Sequence, residues 1–312
     1  MNQSKTILFF GNERLATGVE TQLPVIKALV SNGYNIGAII ISPQHSKTSS
    51  RNPRKLEIAD FAKKHKIPLL EPSPLRSAVA QLREYGAVAA VLAAYGKMVP
   101  QEVIDLFPRG IINLHPSLLP MHRGPTPIES AILSGDTKTG VSLMQLVSEM
   151  DAGPVFYQEE LLLSGSEQKQ ELADRLGKLG AESLIRLLPG IISGELTPTP
   201  QQGLPSYDKR LEAAFAPLDA KKPALILERE IRAFKGWPRS RLNVGTETVI
   251  VTSAHVMPKS TYEAGQIFSH NGSLAVATSE GTLIIERLIP AGGKEMSAQD
   301  YLLGHPLQLK DK

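Results

Sequence analysis

From residue 6 to residue 192 the chain alternates short apolar, β-branched runs with amphipathic stretches. Strand-like runs fall at 6–10, 36–41, 67–70, 88–93, 111–114 and 141–146. Helix-like spacing fills the intervals at 20–30, 56–64, 75–84 and 128–133. Pro24 within the first of these predicts an early turn or a kink. Ser164-x-x-Glu167 reads as a capping box opening a helix that reaches about Ile192. Such alternation restricts the fold to a parallel sheet with helices on both faces. In such sheets ligands gather beyond the carboxyl ends of the strands.

The pattern breaks at 194–217, where Pro198, Pro200, Pro205 and Pro217 accompany Gly194 and Gly203, a composition that suits an extended linker. Beyond it, 223–234 reads as one helix. Short strands follow at 241–244, 247–252, 265–268, 274–278 and 282–288, as in a small β-barrel. Asn271-Gly272 and Glu280-Gly281 are hairpin-turn candidates. A chain of 312 residues suits two domains, here expected at 1–193 and 218–312 around that linker.

Composition narrows the function classes. Hydrophobic residues make up 42% and charged residues 21%, enough for a buried core. No apolar run approaches the ~18–20 residues of a membrane span, and Met1–Lys5 lacks the apolar core of a secretory signal. The chain has no cysteine, which excludes disulfides, thiol nucleophiles and thiolate metal sites and favours a reducing, cytoplasmic setting. A net charge of +3 places any nucleic-acid binding in local patches. One patch is Lys47, Arg51, Arg54, Lys55, Lys63, Lys64 and Lys66; the other is Arg232, Lys235, Arg239 and Arg241 around Trp237. An aromatic among cations can stack on nucleic acid, or simply cap a barrel beneath solvated charges.

Phosphate-loop, dinucleotide, nucleophile-elbow and zinc-protease motifs are missing from the sequence. The chemistry-bearing stretch is instead 111–120, where an apolar strand turns polar at its carboxyl end. Asn113 and His115, two apart, leave the same face of that strand. Asn is a neutral donor and His a donor or proton carrier, so together they can hold an oxyanion; the alternative is a satisfied polar pair at a strand end. Asp151, in a loop between two strands, is either a turn residue or a carboxylate that pairs with His115.

Asn113-x-His115-x-Ser117-Leu118-Leu119-Pro120-x-x-Arg123-Gly124, followed by Asp151-x-Gly153, resembles the folate-dependent formyltransferases. Ala94-Tyr95-Gly96 through Pro100 is similar to another loop of that family. Arg232-Ala233-Phe234-x-x-Trp237-Pro238 and Pro290–Asp300 resemble the C-terminal domain of its methionyl-tRNA branch. The resemblance implies a Rossmann-like α/β formyltransferase domain with a mostly parallel sheet and an OB-like C-terminal barrel that helps hold tRNA. It implies formyl transfer from 10-formyltetrahydrofolate to the α-amine of initiator methionyl-tRNA, with no metal and no obligate protein partner. By the same resemblance Asn113 and His115 stabilise the oxyanion and Asp151 keeps His115 suitably protonated. Ser117, Leu118, Leu119, Pro120, Tyr95 and Gly96 would face the folate. Arg51, Arg54, Lys55, Arg123, Arg232, Lys235 and Arg239 would face the tRNA. The other acceptor class within the family is an amine such as an amino sugar nucleotide, and the non-catalytic alternative is an impaired tRNA-binding relative. Departures from the family pattern lie at Asn12-Glu13-Arg14, Pro116, Pro125-Thr126 and Leu218-Asp219-Ala220.

Overall fold

The structure is a computed structural model that describes residues 6–15, 17–43, 56–259 and 261–307. Two compact units divide the chain. One comprises Met1–Pro127, Lys138–Leu163 and Gln170–Lys209; the other comprises Ile128–Thr137, Ser164–Lys169 and Arg210–Lys312.

In chain order the first elements are β1 (Ile7–Gly11), α1 (Pro24–Ser31), β2 (Ile36–Ile40), α2 (Glu57–His65), β3 (Leu69–Leu70), α3 (Val79–Glu84), β4 (Ala89–Ala93), α4 (Gln101–Ile104) and β5 (Ile111–His115). Then come α5 (Pro127–Ser134), β6 (Lys138–Gln145), β7 (Val155–Leu162) and α6 (Lys169–Ser193). The sheet order is β3-β2-β1-β4-β5-β6-β7. Its first five strands are parallel. β6 and β7 run antiparallel, which the alternation did not predict. The reason for the last pair is local: the link 146–154 is shorter than the dozen or so residues a parallel crossover needs.

Two apolar layers cover the sheet. Ile7, Phe9, Val91, Ile112 and Leu114 pack with Ile26 and Leu29 of α1 and Leu184 and Leu188 of α6. Leu8, Phe10, Ala90, Leu92 and Ile111 pack on the other face with Leu82 and Val103. A Cβ on Gly180 would lie 2.5 Å from Leu114 Cδ1, so the bare glycine lets α6 approach the strand that carries Asn113 and His115.

Pro24 neither kinks nor ends a helix. It occupies the first turn of α1, where its missing N–H needs no intrahelical partner. The Ser164–Glu167 box forms, with Ser164 N–H donating to Glu167 at 2.5 Å, but it closes a turn ahead of α6. Burial opposes the Glu167 charge, yet the Ser164 and Gly165 N–H donors prevail and lower its pKa.

The second unit contains most of α5, then α7 (Ala224–Phe234), β8 (Arg241–Val244), β9 (Glu247–Met257), β10 (Ile267–His270), β11 (Ser273–Ala277), β12 (Thr282–Ile289), β13 (Met296–Ser297) and α8 (Ala298–Gly304). The strands form one curled antiparallel sheet in the order β10-β11-β12-β9-β8, with β13 on β12. Register shifts around Arg287 mark an irregularity that strengthens local twist. Leu227, Ile231, Val249, Leu274, Leu283, Ile285 and Tyr301 fill its core. Asn271 and Gly272 both take positive φ (50° and 78°), as a two-residue hairpin turn between β10 and β11 requires.

Within the proline-rich segment, residues 194–209 belong to the first unit and a short helical turn forms at Ala213–Phe215. Thr199 and Val155 exchange both backbone hydrogen bonds, at 2.7 and 2.9 Å. Among the described residues no helix is long and apolar enough to cross a membrane.

Candidate active site

The site is built on the carboxyl end of β5. Asn113 pairs with Leu92 of β4 on one side and Met144 of β6 on the other, and His115 pairs with Ser142. Central placement in the sheet fixes both backbones. Both residues are nearly buried, at 6% and 5% exposure.

His115 Nε2 lies 2.9 Å from the carbonyl oxygen of His122. A carbonyl only accepts, so Nε2 carries the proton and, in the neutral ring, Nδ1 carries the lone pair. Nδ1 faces Asp151 Oδ2 at 3.8 Å. The strand residue and the loop carboxylate that the sequence left unconnected therefore meet. A second proton on the ring would sit at Nδ1, beside a carboxylate. No described residue hydrogen-bonds the Asn113 carboxamide, which leaves its two N–H donors uncommitted on the same face.

Asp151 is held at its side chain and at its backbone. Gly124 N–H donates to Oδ2 at 2.8 Å, and Gln201 Nε2 donates to the Asp151 and Gly153 carbonyls, each at 2.8 Å. The loop also needs Gly153, where any Cβ would run into the Gln145 carbonyl. Asp151 itself has φ +48°, a left-handed conformation that Asp and Asn tolerate better than most residues.

The 117–120 loop folds over this end of the sheet on internal hydrogen bonds. Ser117 Oγ donates to Met121 O at 2.6 Å, and Ser142 Oγ donates to Ser117 O at 2.7 Å. Gln158 Nε2 donates to Leu119 O at 2.8 Å. Ser117, Leu119 and Pro120 are buried, while Leu118 is half-buried. Tyr95 is 2% exposed and packs edge-on against Phe10, with ring centroids 5.6 Å apart. Burial pushes its hydroxyl pKa up to about 12. Its ring thus belongs to the core, and what the Tyr95-Gly96 loop presents is backbone, with Gly96 at φ +73°.

The cations expected to meet tRNA separate into three groups. Arg51, Arg54 and Lys55 lie outside the described residues. Arg123 and Arg232 are buried, at 9% and 6% exposure. Arg123 donates twice to Gln201 Oε1 and once to Tyr207 Oη; Arg232 grips Glu228 through two nitrogens and donates to Glu167 O. Both guanidiniums are therefore braces inside their own units, a correction to their expected place on the RNA-facing surface. Lys235, Arg239 and Arg241 are exposed beside Trp237. Lys169, buried and drawn to Glu129 at 3.6 Å, anchors that turn by donating to Trp237 O at 3.2 Å.

Sequence reasoning missed several contributors. Asn12, one of the departures from the family pattern, donates to Tyr95 O at 2.6 Å and Ser42 Oγ at 2.9 Å and accepts from Ser42 N, tying together the loops after β1, β2 and β4. The positioning contacts of His122, Gln201, Ser206 and Asp208 also went unread. For Gln201, Ser206 and Asp208 the only sequence signal was polarity within a segment that composition marked as a linker.

Among the described residues no three His, Asp or Glu side chains are grouped as metal ligands. The formyl transferase family model matches residues 15–188, and the formyl transferase C-terminal domain model matches 210–306. Methionyl-tRNA formyltransferase of Nitrosococcus oceani is 33% identical over 289 residues, covering 91% of this chain and 90% of that protein. Its counterpart in Halorhodospira halophila is 36% identical over 290 residues, covering 91% and 93%. HypX from Aquifex aeolicus, solved in complex with tetrahydrofolic acid, shares the fold at TM-score 0.66 and 17% identity. The match covers 96% of this chain, which spans about half (47%) of the HypX chain.

Proposed function

The chain belongs to the formyl transferase family, and on that premise we propose that it moves a formyl group from 10-formyltetrahydrofolate to the α-amino group of initiator methionyl-tRNA in the cytoplasm. The observation that carries the chemistry is the meeting of His115 and Asp151 at 3.8 Å beside the uncommitted Asn113 amide. Relatives named methionyl-tRNA formyltransferase that align over nine-tenths of the chain support the acceptor. A solved neighbour of the same fold that holds tetrahydrofolic acid supports the folate.

The folate supplies an activated formyl group; the protein supplies placement and charge. An α-amine has a pKa of ~7.7–8.0, so a neutral, nucleophilic fraction exists near pH 7. Its attack puts negative charge on the formyl oxygen. Asn113 N–H donates to that oxygen, where preorganised donors matter most, and the His115 ring supplies positive charge beside it once it takes a proton at Nδ1. Asp151 stabilises the imidazolium that forms when His115 takes the proton the amine loses. Collapse of the tetrahedral intermediate then breaks the bond from the formyl carbon to N10 of the folate, which takes up that proton and leaves as tetrahydrofolate. The buried 117–120 loop provides a firm wall for the folate. Lys235 and Arg239, with Trp237 available for stacking and Arg51, Arg54 and Lys55 in support, would hold the tRNA through its phosphates.

The deciding experiment supplies the purified chain with 10-formyltetrahydrofolate and either methionyl-tRNA or an amino sugar nucleotide. Formyl-methionyl-tRNA is the expected product. Formylation of the sugar alone would overturn the acceptor, and no transfer to either would overturn the activity.

A further inference from the structure

The segment that composition marks as a linker reaches back to the site and braces it at two points. Gln201 holds one, through the Asp151 and Gly153 carbonyls. The other is His122, whose carbonyl takes the Nε2 proton of His115 at 2.9 Å.

His122 has φ +58°, a conformation that a side-chain-bearing residue keeps only when its surroundings impose it. Those surroundings come from residues 206–208. Ser206 N–H donates to Pro120 O at 3.1 Å, and Arg123 N–H donates to Ser206 O at 2.9 Å. Asp208 N–H donates to Arg123 O at 2.7 Å. His122 N–H donates to Ser206 Oγ at 2.7 Å. Finally, His122 Nδ1 lies 3.1 Å from Asp208 Oδ1, with both side chains nearly buried, at 9% and 7% exposure. The other carboxylate oxygen of Asp208 is buried without a hydrogen-bond partner, so the His122 ring is the polar group on which that carboxylate depends.

We propose that Asp208 is a positioning residue for formyl transfer: with Ser206 it fixes His122, and the His122 carbonyl in turn fixes the orientation and tautomer of His115. This strap, residues 206–208, thus holds His122 at three points: its N–H through a hydroxyl, its ring through a carboxylate, and the peptide whose carbonyl the catalytic imidazole uses through the Ser206 carbonyl. If that carbonyl turned away, His115 could protonate at either nitrogen, and the nitrogen facing Asp151 would no longer be reserved for the incoming proton. Small displacements of this kind cost up to about 100-fold in rate.

The proposal rests on the formyl-transfer reading of the site, but one of its tests does not. In protein carrying ¹⁵N-labelled histidine, the His115 ring should appear as the Nε2–H form, whatever amine the protein uses. In Asp208→Ala it should shift toward a mixture of tautomers, and Asp208→Asn, whose amide oxygen can still accept from His122, should restore it. An unchanged His115 tautomer in Asp208→Ala would overturn the proposal even if formyl transfer is confirmed.

The kinetic test is a double-mutant cycle in the full chain. Asp208→Ala should lower kcat about 10- to 100-fold, leave KM for both substrates within about twofold, and recover in Asp208→Asn. In a His115→Ala background the same change should have no further effect, because Asp208 acts through the ring already removed. An equal loss in both backgrounds would mean that Asp208 only stabilises the fold. Should Asp208→Ala not fold, Ser206→Ala removes only the hydroxyl beneath His122 N–H and is held to the same expectations.

Discussion

Replacing Asp151 by Asn separates charge from shape. The side chain keeps its volume, and an amide oxygen can still accept the Gly124 N–H that now lies 2.8 Å from Oδ2. The backbone tolerates the change, because Asn accepts a φ of +48° at least as well as Asp. What disappears is the negative charge 3.8 Å from His115 Nδ1. At an effective dielectric constant of 20 that interaction with an imidazolium is about 4 kcal/mol, and fully screened by water it is about 1 kcal/mol. Both side chains are mostly buried, at 6% and 15% exposure, so the larger value is the nearer guide. The expected loss in kcat is therefore about 10- to 1,000-fold, with KM little changed, since the charged ring is needed only as the reaction proceeds. Single-turnover formyl transfer read alongside thermal unfolding is the assay. A variant with kcat within about twofold of the parent would make Asp151 a turn residue, and a loss matched by a collapse in Tm would assign it to stability.

Asn113→Ala should cost about 100- to 1,000-fold in kcat with normal folate binding, as for other single oxyanion donors; a loss confined to KM would move Asn113 from the transition state to the ground state. Gly153→Ala should unfold at lower temperature and lose activity, because its Cβ meets the backbone carbonyl of Gln145, which cannot swing aside; an unchanged Tm would refute that constraint. Lys169→Met leaves the buried Glu129 carboxylate without its counter-charge and should cost about 3–5 kcal/mol, with Lys169→Met/Glu129→Gln recovering part of it in denaturant titration. Burial lowers the Lys169 pKa more than Glu129 raises it. The unfolded chain therefore binds this proton more readily, and the Lys169 contribution to stability should rise with pH in the window just below 10.5 and vanish in Lys169→Met. Neutralising Lys235 and Arg239 should flatten the salt dependence of tRNA binding by about 0.7–0.9 in slope per lost phosphate contact; an unchanged slope would show that the turn does not touch RNA.

Much of the fold is legible because local rules and tertiary structure agree. Runs such as 36–41 and 111–114 are too short and β-branched to be anything but buried strands, and their alternation with helices gives the five parallel strands. The antiparallel β6–β7 pair escapes the same logic because its direction is set by a short connection, not by apolar pattern. Within the site, Asn113 and His115 are visible as a period-2 pair at a strand end. Their partnership with Asp151 is not, because contact across a sheet has no sequence spacing. The strap is harder still. Pro and Gly mark residues 194–217 as extended, but whether such a segment docks or floats turns on single hydrogen bonds made by Gln201, Ser206 and Asp208.

Arginine shows why composition alone misplaces function. Arg123, Arg232 and Arg239 look equivalent in sequence, each within two residues of a glycine, proline or aromatic. Guanidinium geometry rewards a fixed carboxylate or amide partner, so the outcome turns on what each finds within reach. Arg232 finds Glu228 one helical turn back, at 2.6 Å, and is drawn into the unit. Arg123 finds Gln201 and Tyr207 on the strap. Arg239, at φ +72° in a tight turn, has a guanidinium that donates to a nearby backbone carbonyl, Gly236 O at 3.2 Å, and stays exposed with Lys235 and Trp237. A cation still facing solvent can bind phosphate at little cost. One already bridged inside the core would have to leave a charged or polar partner unpaired to do so. Of these three, Arg239 is thus the one left facing solvent, while Arg123 supports the site through Gln201 and Arg232 braces its own unit.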